Sequence, residues 1–113
     1  MQNEVEQLEI SIEEAKSQIE DVRLLEQLYE NGAFQKIVVD GFFKEEAIRL
    51  VHLRGDPNMQ SPERQASILN DIDGIGVLKS YFSKVYQMGM LATTALDEDR
   101  ISLDELREEG DEI

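Results

Sequence analysis

The feature that most constrains this chain is a seam near its N-terminus. Val5, Leu8, Ile12, Ala15, Ile19 and Val22 recur at spacings of three, four, three, four and three. That is an a/d heptad pattern, which only an amphipathic helix presents on one face. Glu26 interrupts the seam, and the apolar positions move to Leu25, Leu28 and Tyr29. A helix of ~3.6 residues per turn drifts off a strict heptad in this sense. The spacing therefore predicts a coiled-coil-like helix over 1–31, stopped by Asn31-Gly32. A lone helix of three heptads is marginal in water, so the seam needs a partner. Two readings stay open: a partner helix within the chain, or self-association through these six residues.

A helical body is expected over 32–97. Phe34, Ile37, Val38, Phe42, Ala47, Ile48 and Val51 can share a helical face, with Gly41 suggesting two abutting helices or one kinked helix. Arg54-Gly55-Asp56-Pro57 ends that stretch. Ser61-Pro62-Glu63 combines a cap, a first-turn proline and a first-turn acid, and so starts another helix. Ile75, Leu78, Phe82, Val85, Gly89, Ala92 and Leu96 then form the longest seam in the chain. Gly74 and Gly76 leave open whether 62–97 is one helix or two. Ser102-Leu103-Asp104-Glu105 reads as a capping box opening a short helix in an acidic tail, 98–113. No strand signal finds a mate. The fold class is all-α: a small helical bundle or an extended helical hairpin with an N-terminal coiled-coil-like helix.

Charge is distributed unevenly. The net charge is −14, with −7 in residues 1–30, −7 in residues 97–113 and none between. Acidic ends repel phosphate backbones and anionic lipid and favour basic protein surfaces. Direct nucleic-acid binding is therefore not expected, with one exception: a fold that gathered Arg49, Arg54 and Arg64 at the Gly55–Pro57 turn. No apolar run approaches the ~18 residues of a membrane span, and the acidic start lacks the apolar core of a secretory signal.

Catalytic and ligand motifs fail on inspection. There is no cysteine, which removes thiolate metal sites and cysteine nucleophiles. Gly74 to Ser80 has Leu78 and Asp73 where a phosphate-binding loop needs glycine. Asp71-Ile72-Asp73-Gly74 would need a calcium ligand at Leu69 and a glutamate at Ser80. His52 is expected to be a partly buried helix residue, and Ser61 a cap. The expectation is no enzyme, no cofactor, no metal, no membrane and no small-molecule substrate. The candidate contacts are the self-association seam, the adjacent Phe42 and Phe43, and the tail acids Asp104, Glu105, Glu108 and Glu109. Phe42 and Phe43 cannot both be buried on one narrow α-helical face, so one is expected to serve a second contact.

Gly41-Phe42-Phe43-Lys44-Glu45-Glu46-Ala47-Ile48-Arg49-Leu50-Val51-His52-Leu53, with Asp56 to Ser61 and Ile75 to Phe82, resembles a family of small helical proteins encoded by tailed bacteriophages. The resemblance covers roughly residues 1–109 and is most characteristic between 33 and 91. It implies phage origin, expression in the host bacterial cytoplasm, and possible incorporation into the virion. It implies no reaction and no ligand. The expected function is a structural or assembly accessory role through protein contacts, with itself or with phage structural proteins. The competing expectation is an acidic mimic of nucleic acid that occupies a basic groove on a host enzyme or defence complex.

Overall fold

A computed structural model describes residues 2–111. Helix α1 spans Gln2–Glu30, α2 is a single turn at Gly32–Phe34, a π-helix covers Gln35–Glu45, α3 spans Glu46–Gly55, a 3₁₀ turn covers Pro57–Met59, and α4 spans Pro62–Asp111. The described residues contain no strand. The all-α expectation holds.

The sequence signals for the first breaks act as written. Asn31 adopts an extended conformation and its side chain accepts from the Phe34 N–H, so it ends α1 and caps the next turn. Ser61 caps α4: its Oγ accepts from the Arg64 N–H at 3.3 Å. The turn before it is braced by side-chain amides. Gln60 donates to the carbonyls of Arg54 and Asp56, and Gln65 donates to those of Arg54 and Met59.

Three boundaries differ from the sequence reading. The segment around Gly41 is neither two helices nor a kink but a π-wound stretch continuous with α3. The Glu46 N–H reaches back five residues to the Gly41 carbonyl. Gly74 and Gly76 do not interrupt α4, because buried Ile75 between them holds the backbone against the second core. The capping box at Ser102 opens nothing: α4 runs unbroken through it, since Leu103 is buried in the first core. The acidic segment 98–113 is thus the last part of a long helix as far as Asp111, and residues 112 and 113 lie outside the described ones.

The chain divides into two compact units, residues 1–25 with 84–113 and residues 26–83. The first is a helical hairpin. Its core is Ile12 and Ala15 of α1 with Ala92, Leu96 and Leu103 of α4, flanked by Val5, Leu8 and Ile19. Ser11 donates to Asp99 at 2.5 Å and Arg107 donates to Glu9 at 3.2 Å, so the two helical segments run antiparallel. The second unit has Leu50, Ile68 and Ile75 at its centre, with Phe42, Phe43, Ala47, Leu53, Met59 and Ile72 packed around them. Leu50 is its most deeply buried side chain, at 1% exposure.

Candidate interaction surface

The six residues proposed as a self-association seam face the chain's own α4. Ile12 and Ala15 are buried there, and Val5, Leu8 and Ile19 pack around them. Val22 sits against Gly89. In this fold the seam's partner is intramolecular, and no part of it is left as a free stripe.

Phe42 and Phe43 both turn inward. They pack on the Leu50 cluster and are each half-buried, with ring centroids 5.9 Å apart. The adjacency problem that an α-helix would impose is relieved by the wider π winding. Phe43 also lies 6.1 Å from Phe82, which meets Tyr29 and Phe34 edge-on at 5.9 Å each. Lys79 covers the Phe43 face at 5.8 Å, a cation–π contact. These aromatics form an internal cluster of the second unit.

Asp104, Glu105, Glu108 and Glu109 are exposed on the last turns of α4. Because the hairpin is antiparallel, they belong to the same unit as the acids of α1. That unit holds 16 acids against five bases, a net of −11, whereas the other holds nine against six, a net of −3. Sequence order hid this: two acidic ends become one acidic body. A shallow concavity on the outer face of α1 is lined by Glu6, Glu9, Ile10, Glu13, Glu14 and Ser17.

Lys16 donates to Glu13 at 3.3 Å, and two further carboxylates have arginine partners within a turn. Arg23 donates to Glu20, and Arg49 donates to Glu46 through Nε at 3.0 Å. These hydrogen bonds, aided by the attraction between the charges, hold both carboxyls below the ordinary carboxylate range. Both guanidinium groups are raised by the same contacts. Arg49 is thereby engaged, and Arg64 donates to the Asn58 carbonyl at 2.8 Å. Two of the three arginines near the Gly55–Pro57 turn are therefore spent on local structure. His52 is exposed rather than partly buried, because Leu50 and Leu53 take the inward side of α3.

No protein-family model, curated protein or solved structure matches the chain.

No helix among the described residues is long and apolar enough to cross a membrane, and no group of three His, Cys, Asp or Glu side chains among them is placed to hold a metal. The acidic hairpin unit also exposes apolar side chains. Met88, Met90, Leu91 and Ile101 of α4 are 40%, 61%, 70% and 60% exposed, all within the hairpin unit. None of these four is among the contact residues expected from the sequence; Leu91 lies one position before buried Ala92, off the side of α4 that meets α1.

Proposed function

We propose that the chain is a non-enzymatic structural or assembly accessory protein of a tailed bacteriophage, acting through protein–protein contacts made by its helical faces. The observation that carries the contact function is the pair Met88 and Leu91, two large apolar side chains exposed on one face of α4 about a turn apart. Single exposed apolar residues are ordinary, but grouped ones on a small unit mark contact surfaces. Buried Gly89 and Ala92 on the other side of the same turns of α4 give such a surface a rigid support. The phage assignment, the host cytoplasm and a place in the virion are part of the proposal and are supported by the resemblance at Gly41–Leu53 and Ile75–Phe82 alone.

A second reading is favoured by a different observation. The acids of α1 up to Asp21 and those of the end of α4 belong to one helical unit of net charge −11. Acids on a rigid frame suit an inhibitor that imitates nucleic acid better than acids on loose tails do.

Mass spectrometry of purified particles of the encoding phage tests the first reading, which expects the chain at a defined copy number per particle. Absence from particles, with partner binding that DNA competes away in infected-cell lysate, decides for the second.

A further inference from the structure

Within the hairpin unit, α4 carries a stripe distinct from the one that meets α1. Lys84, Met88, Leu91, Ala95 and Glu98 follow at spacings of four, three, four and three, the a/d pattern of a helix-pairing seam. The α1-facing side uses Gly89, Ala92, Leu96 and Leu103 instead. Met88 and Leu91 are 40% and 70% exposed, Lys84 and Glu98 are exposed, and Ala95 is half-buried. Within the hairpin unit the stripe carries a base at Lys84 and an acid at Glu98, with only apolar residues between them. Neither takes part in an ion pair among the described residues.

We propose that this stripe joins two copies of the chain, with their α4 helices antiparallel about a two-fold axis between Met88 and Leu91. The inference rests on the protein-contact reading above and names its partner as a second copy.

The order of charges selects the partner and the orientation. In an antiparallel seam, a positions face d positions, so Met88 lies opposite the partner's Leu91 and Lys84 opposite the partner's Ala95. The Lys84 side chain then enters a hole bordered by the partner's Leu91 and the partner's Glu98, within reach of that carboxylate. The two-fold axis repeats the pair, so two Lys–Glu contacts flank four apolar side chains. A parallel pairing would set lysine on lysine and glutamate on glutamate, which is destabilising. The contact is isologous and closes at the dimer. Its small apolar content places it among weak, transient interfaces rather than obligate ones.

Sedimentation equilibrium of the full chain, from low to high micromolar, reads the proposal directly. The unmodified chain reaches a dimer. Leu91→Glu raises the dissociation constant at least about tenfold, with helix content and melting unchanged because Leu91 lies outside the core. Lys84→Glu also weakens association, and the exchange Lys84→Glu with Glu98→Lys restores it. A chain that stays monomeric to high micromolar overturns the dimer, as does a Leu91→Glu variant that associates normally. Failure of the charge exchange to restore association overturns the antiparallel register. These outcomes are separate from the particle test: a monomer present in virions defeats the dimer and leaves the function standing, and a dimer absent from virions does the reverse.

Discussion

Gly89 of α4 and Val22 of α1 approach so closely that any side chain at 89 would occupy space already held by the Val22 Cγ2 methyl. A Cβ there would also lie 3.2 Å from the Gln18 carbonyl oxygen. The hairpin therefore has a fixed point of contact at which glycine is required by packing, with an ordinary helical φ. Valine is branched at Cβ and has little rotamer freedom in a helix, so it cannot move aside. Gly89→Ala gains about 1 kcal/mol of helix propensity but incurs an overpacking cost of about 1–3 kcal/mol, and a net loss of stability is expected. Adding Val22→Ala removes the obstructing methyl and recovers much of that loss. Urea unfolding of the two single variants and the double variant measures the coupling; additive effects would show that the helices do not meet there.

Glycines elsewhere in the helices give the opposite sign. A Cβ at Gly74 or Gly76 meets nothing within 4 Å, and both positions are exposed in α4. Alanine at either is expected to stabilise by about 0.5–1 kcal/mol through helix propensity and a less disordered unfolded chain. At Gly41 a Cβ falls 3.1 Å from the Lys36 carbonyl oxygen, five residues back in the π segment. Alanine there is expected to give no such gain. Thermal melting of the three variants side by side checks the order.

The contrast shows what a sequence carries and what it does not. Helix identity, the caps at Asn31 and Ser61, and both long seams are local patterns, and each is legible because it depends on residues within a turn or two. Which seam meets which is not local. Nothing near Val22 says that Gly89 will face it, and the merging of two acidic ends into one unit follows only from the antiparallel pairing. The capping box at Ser102 opens no helix for the same reason: a local start signal is overridden by burial of Leu103 in the cluster that holds Ile12 and Ala15. The π winding that lets adjacent Phe42 and Phe43 both turn inward has no sequence signature beyond Gly41 shortly after the β-branched run Ile37-Val38-Val39.

The end of α4 is part of the fold. Leu103 is 7% exposed in the hairpin core, whereas Leu106 is only half-buried. Leu103→Ala is expected to cost about 2–5 kcal/mol, the usual range for a buried leucine, and Leu106→Ala less. Deleting residues 98–113 removes both, along with the Asp99 acceptor of Ser11, so it should lower the melting temperature. An unchanged melting curve after deletion would mean that this segment is a dispensable tail.

Phe82 tests the aromatic cluster. It stands half-buried among Tyr29, Phe34 and Phe43. Phe82→Ala is expected to cost about 2 kcal/mol, less than the ~3–5 kcal/mol of a fully buried phenylalanine. Phe82→Leu keeps part of the apolar volume but loses the edge-on ring contacts and should fall between. A urea midpoint unmoved by Phe82→Ala would show that the cluster does not hold the second unit together.

The acid limb of stability follows from Glu20 and Glu46. Their carboxyls are held below the ordinary value of 4.5 by hydrogen bonds from Arg23 and Arg49. A depressed folded-state pKa contributes stability that is present above the unfolded value and lost as pH falls through the folded one. The double variant Glu20→Gln, Glu46→Gln should therefore melt lower than the unmodified chain at pH 7, and the two curves should converge as the pH drops below about 4.5. Both pairs are exposed on helix surfaces, so the difference is small and shrinks with added salt. Melting temperatures taken across an acid series at low and high salt decide it, and a gap that widens toward low pH would show that these contacts stabilise in some other way.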